Sequence, residues 1–104
     1  MIRQFDVVRN PLAAARTDRP FLVCIQHHHL YHLATRLMAP LATERVVREQ
    51  SRLNPALVVA GRTFFLLPQD LQALPIRLLG SAVTSIESER GRIVAALDLV
   101  FTGI

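Results

Sequence analysis

Lysine is absent from the 104 residues, so twelve arginines carry the whole cationic charge and face eight carboxylates, for a formal net charge of +4. The arginines are scattered along the chain instead of gathered in a block, which argues against a direct nucleic-acid footprint. The nearest thing to a stripe is Arg45, Arg48 and Arg52, which would share a face on a helical turn and read as a solvated surface. Cysteine occurs once, as Cys24 within the apolar run FLVCIQ. That excludes an intramolecular disulfide and leaves the role of a small buried hydrophobe. No apolar run approaches the roughly 20 residues that span a bilayer. Arg3 and Asp6 also interrupt the start, where a secretory leader needs an apolar centre. A cytoplasmic location without membrane contact is expected. Repeats and low-complexity linkers are missing too, so residues 1–104 are expected to form a single domain.

The usual marks of catalysis are also lacking. There is no nucleophile elbow, phosphate-cradling glycine loop or paired-carboxylate site. Asp70 and Asp98 are isolated in sequence, and Ser81, Ser85 and Ser88 stand near a helix start, where capping explains them. A binding protein is expected in preference to an enzyme, with no catalytic residue and no cofactor. The one cluster of chemistry-bearing side chains is His27, His28, His29 and His32. In an extended segment His27 and His29 share a face while His28 points away, and no cysteine or carboxylate lies among them. An exposed polar loop is the expected reading, with no metal site; chelation should leave the melting temperature unmoved.

What the chain does have is apolar material, 51% of its residues, enough to offset the entropy of ordering one core. RQFDVV reads as a strand with Phe5 and Val7 on one side, followed by a loop over Asn10 to Pro20. FLVCIQ reads as a strand buried on both faces. After the histidine excursion a strand is expected over Thr35 to Leu41, then a helix starting at Thr43 and ending before Pro55. ALVVAGRTFFLL reads as a hairpin about Gly61. PQDLQALP reads as a bridge of turns and IRLLG as a short final strand. From Thr84 the period changes: Thr84 and Glu87 suit a capping box, and Ile86, Ile93, Leu97 and Val100 recur at helical spacing, with Val94 and Phe101 on an adjoining strip. The fold class is mainly β, a small antiparallel barrel or sheet with a C-terminal helix packed on it.

Six stretches carry a resemblance to a known family: QFDV at Gln4 to Val7, LVCIQ at Leu22 to Gln26, PLA at Pro40 to Ala42, the D-L-x-A-L-P pattern from Asp70 to Pro75, Gly80, and LVFTGI from Leu99 to Ile104. In order and spacing they resemble the CcdB toxins of type II toxin–antitoxin modules, which poison DNA gyrase. The resemblance implies an SH3-like antiparallel barrel of the CcdB/MazF kind with a long C-terminal helix, assembled as a homodimer. It implies two further partners, the A subunit of DNA gyrase and a CcdA-like antitoxin through which DNA is met only indirectly. It also implies a gyrase-binding surface made of Gln4, Phe5, His29, Leu30, Asp98, Phe101, Thr102, Gly103 and Ile104. An apolar terminus then becomes a contact surface for another protein. Three positions depart from the family. His29 stands where the family is apolar, Asp98 where it has an amide, and Thr102 where its toxic members carry tryptophan. Weak or absent gyrase inhibition with antitoxin binding retained is the expectation that follows, and one alternative is a degenerate homologue that binds antitoxin without poisoning gyrase. A MazF-like endoribonuclease is the other alternative on the same barrel, and it would need a basic groove with a hydroxyl or arginine at the RNA phosphate.

Overall fold

Short β-branched and apolar runs separated by proline and glycine favour strands over helices along most of this chain. The computed structural model, which describes residues 1–103, has seven strands and one α-helix. They are β1 (Asp6–Arg9), β2 (Phe21–Cys24), β3 (Thr35–Ala42), β4 (Ala56–Val59), β5 (Arg62–Leu66), β6 (Gln72–Pro75), β7 (Thr84–Ser85) and α1 (Arg90–Thr102). The sheet runs β4-β5-β3-β2-β1-β7, wholly antiparallel, with β6 also paired to β3. It curls into a nearly closed barrel with the helix against it. Strand β3 makes this possible by serving two partners along one edge, β6 from Thr35 to Met38 and β5 from Leu41 to Ala42. Pro40 falls at the handover between them. Its missing N–H therefore breaks no ladder on that side, while its carbonyl accepts from the Leu67 N–H at 2.9 Å.

The three central strands are buried on both faces, as the uninterrupted run in β2 predicts. Phe5, Val7, Val23, Ala39, Leu41, Leu57, Phe64 and Leu66 share one core with Ile93 and Ala96 of the helix. Ile2, Val8, Leu22, Cys24 and Met38 form a second core on the opposite face. Burial raises the pKa of the Cys24 thiol, which keeps it protonated and unreactive in the native state. The hairpin about Gly61 is also as expected: Ala60 and Gly61 both hold positive φ, at 52° and 77°, as a two-residue turn of the primed type requires.

Three expectations fail. The stretch from Thr43 to Asn54 is not a helix. Thr43 begins one turn, with the Val46 and Val47 N–H groups donating to its carbonyl, and the pattern stops there. Arg45, Arg48 and Arg52 therefore do not share a helical face; all three are exposed, and Arg45 pairs with Asp18 at 3.3 Å. A helix this short needs an apolar stripe to dock, and this segment offers exposed Val46 with half-buried Val47 and Leu53, of which Val46 and Val47 are adjacent and point to different sides. Second, the edge strand lies in Gln72–Pro75, where a bridge of turns was expected, while Ile76–Leu78 is a single 3₁₀ turn instead of a strand. The open edge of β3 from Thr35 to Met38 captures whichever segment reaches it. Third, Thr84 does not cap the helix but pairs with Val7 in β7. The Ser85 hydroxyl accepts from the Glu87 N–H at 3.3 Å, a 3₁₀ turn follows over Glu87–Glu89, and α1 begins at Arg90. On α1 the core positions are Ile93, Ala96 and half-buried Leu97, whereas Val100 is exposed. Among the described residues no helix is long and apolar enough to cross a membrane.

Candidate functional site

Two surfaces collect the residues singled out above, one beside the chain start and one at the end of α1. At the first, Phe5 immediately precedes β1 with φ of 70°, and its N–H donates to the Cys24 carbonyl while its carbonyl accepts from the Ile86 N–H. Its ring is buried, 1% exposed, with the Arg90 guanidinium 5.3 Å from its centre. Gln4 is half-buried: its N–H donates to the Tyr31 hydroxyl and its side-chain amide donates to the Ile25 carbonyl. These residues line a cleft of about 330 Å³ together with Arg3, His27, His28, Tyr31, Glu87 and Arg90.

The histidine excursion above that cleft is pinned by two buried polar side chains that sequence reasoning passed over. Gln26 sends its amide to the Leu30 and Thr35 carbonyls at 2.9 and 3.2 Å and accepts from the Leu37 N–H at 3.1 Å. Arg36 is 2% exposed and has no carboxylate partner among the described residues. Its guanidinium donates instead to the carbonyls of Ile2, Leu33 and Thr35 and lies 4.6 Å from the centre of the Tyr31 ring. A polar residue at the end of a buried strand is the only signal that could have flagged either one.

Between these anchors the backbone is not extended. His28–Leu30 forms a 3₁₀ turn with His27 as its N-cap, its Nδ1 accepting from the His29 N–H at 3.2 Å. The turn gathers His27, His28 and His29 on one side, all exposed, and leaves His32 out of the group. The reading that His28 points away is corrected accordingly. Crowding holds the pKa of His27 below the ordinary imidazole value, first through desolvation and then through repulsion by His28, His29 and Arg90.

At the second surface, α1 ends on Thr102, whose hydroxyl donates to the Asp98 carbonyl at 2.7 Å, and Gly103 closes it in the left-handed conformation with φ of 76°. Nothing lies within 4 Å of where a Cβ on Gly103 would sit, so the glycine is needed for its backbone angle, not for close packing. Val94, Asp98 and Phe101 follow one another at four- and three-residue steps and share a face. Phe101 is 68% exposed and Val94 and Val100 are also exposed, so this end of the helix is apolar and uncovered. Ile104 lies outside the described residues.

The family model described as CcdB protein matches residues 4–103. The chain belongs to the CcdB family. No curated protein matches it in sequence. Among solved structures it is similar to one titled "Endoribonuclease in complex with its cognate antitoxin from Mycobacterial species", with a TM-score of 0.76 at 16% identity, over 95% of this chain and 93% of that one. At that identity the likeness speaks for the barrel and its appended helix.

On a CcdB barrel the two surfaces do not meet within one chain. Phe101 lies eleven residues beyond Arg90, which flanks Phe5, and at 1.5 Å per residue that is about 16 Å along the helix. Gln4, His29 and Leu30 belong to the first surface, and Asp98, Phe101, Thr102 and Gly103 to the second. Phe5, 1% exposed, turns its ring to the core with the Arg90 guanidinium over it.

Proposed function

We propose that this CcdB-family chain is the toxin of a type II toxin–antitoxin module, acting in the cytoplasm by protein–protein contact through the end of α1, with the A subunit of DNA gyrase as the target. The observation that carries this reading is the exposed Val94, Val100 and Phe101. A helix free to dock on its own barrel would turn these residues inward, whereas the ones it turns inward are Ile93, Ala96 and half-buried Leu97. An uncovered apolar helix end fits a surface built for another protein. Thr102 supplies little of the bulk that anchors an interface, so the grip on gyrase is weak.

The fold also supports a second reading, a ribonuclease, and one feature favours it. The cleft beside Phe5 brings together Arg3, Arg90, His27, His28 and Tyr31, cations and proton carriers of the kind that phosphodiester cleavage uses. One experiment separates the two. Induction of the chain in a bacterium, with growth, gyrase-dependent DNA breaks and RNA integrity followed together, should show breaks that strengthen as position 102 gains bulk. RNA cleavage without breaks would assign the ribonuclease reading instead.

The chain is expected to be a homodimer, because the family resemblance implies one and a barrel of this size with exposed apolar residues away from the helix end, such as Val58, Leu78 and Val83, gains by burying apolar area between copies. Light scattering at micromolar concentration should give about twice the chain mass of 11.7 kDa; a monomer would refute it.

Antitoxin binding is expected to outlast gyrase inhibition. A CcdA-like partner that folds on binding spreads its contacts over a wide area, so one weakened side chain such as Thr102 costs it little. Calorimetry with the cognate antitoxin peptide should show saturable binding to the chain as it stands, and absence of heat would overturn this expectation.

A further inference from the structure

The geometry points to a surface site for a divalent transition cation at His27, His28 and His29. One ring nitrogen from each lies within 4.8 Å of the other two, and all three side chains are exposed. The ring centres are 4.1, 4.4 and 4.4 Å apart. A tetrahedral ion bound at about 2.0–2.1 Å by nitrogen holds its ligands about 3.4 Å from one another. Rotation about the terminal side-chain torsion, which is broad for histidine, covers the remaining distance without moving the backbone. This reverses the expectation from spacing alone, which rested on an extended segment.

What makes the cluster a site instead of three mobile rings is the backbone beneath it. The Leu30 and Tyr31 N–H groups close the turn onto the His27 and His28 carbonyls at 3.0 and 3.1 Å. Gln26 then ties the Leu30 carbonyl to β3, and Tyr31 is held by Gln4 and by the buried Arg36. Coordination through His27 Nδ1 replaces the 3.2 Å bond it accepts from His29, while the rings of His28 and His29 are free to turn both nitrogens. The donor set is all imidazole, with no carboxylate and no thiolate. That selects zinc, nickel, cobalt or copper over magnesium and calcium, and water completes the coordination sphere. The inference stands on the loop geometry and does not depend on the toxin reading.

The test is calorimetric titration of the untagged full chain with Zn²⁺, with the visible spectrum of Co²⁺ as a second probe. One ion per chain is expected, with a dissociation constant of about ten micromolar, as befits an exposed site with three nitrogens. His28→Ala and His29→Ala should each weaken it at least about tenfold, since each removes a ligand. His32→Ala, outside the group, should leave it unchanged. All three positions are exposed, and thermal unfolding of each variant without metal checks that the fold survives. Absence of saturable binding below about 1 mM, equal affinity in all variants, or an equal loss in His32→Ala would overturn the assignment.

Discussion

Thr102→Trp is expected to strengthen inhibition of DNA gyrase about a hundredfold. Thr102 is the last residue of α1 and is exposed, and its hydroxyl is spent on the helix's own Asp98 carbonyl. As it stands, the tip presents Phe101 and a glycine that turns the chain by its left-handed φ, but no large side chain between them. An indole in place of the threonine adds on the order of 100 Å² of apolar contact, which at about 25 cal/mol per Å² is some 2–3 kcal/mol. At 1.4 kcal/mol per tenfold this amounts to roughly two orders of magnitude in affinity. The lost hydroxyl bond subtracts little, because it is an exposed bond from a side chain to the carbonyl four residues back. Asp98 works in the same direction. It lies between Val94 and Phe101 on one face, near the negative end of the helix, where a carboxylate is unfavourable and leaves an apolar partner facing a charge. Asp98→Asn should add a smaller gain to that of Thr102→Trp. Purified gyrase in supercoiling and cleavage assays measures both effects. Equal, strong inhibition by the parent and Thr102→Trp would show that the tip is not what gyrase meets.

Arg36→Ala is expected to cost about 3 kcal/mol of stability and to lower the melting temperature by roughly 15 °C. Arg36 is nearly fully buried, and its guanidinium is what the carbonyls of Ile2, Leu33 and Thr35 bond to. Truncation leaves those acceptors without that donor, opens a cavity, and removes the plane on which Tyr31 rests. Arg36→Met separates these contributions. It restores most of the volume and none of the hydrogen bonds, so it should recover part of the loss and no more. A methionine variant as stable as the parent would show that the buried guanidinium contributes nothing net, as happens when the cost of desolvating a charge cancels its bonds. Thermal unfolding of the three proteins, followed by circular dichroism, settles the point. A drop of less than about 4 °C in Arg36→Ala would refute the assignment of Arg36 as the anchor of this loop.

What the sequence by itself determined are the features governed by near neighbours. The doubly buried strand over Phe21–Cys24, the two-residue turn at Ala60 and Gly61, the burial of Cys24 and the helical period around Ile93 and Leu97 each follow from residues a few positions apart. The ordered motifs from Gln4 to Gly103 likewise sufficed to point to the CcdB family. Only the tertiary structure decided matters that depend on which distant segment arrives where. Gln72–Pro75 is a strand because β3 offers it an open edge, and the stretch after Thr43 is not a helix because no apolar face waits for it. The sequence assigns Gln26 and Arg36 no role beyond their strands, yet the chain folds carbonyls around both side chains, for Arg36 from as far away as Ile2. The candidate contact residues divide into two surfaces within one chain for the same reason: the helix keeps Phe101 a fixed length away from Phe5. The three histidines converge because a single turn, held by bonds to residues outside it, replaces the extended backbone that their spacing suggests. Side-chain periodicity is a property of the local backbone, and these placements are properties of long-range closure, which no window of sequence contains.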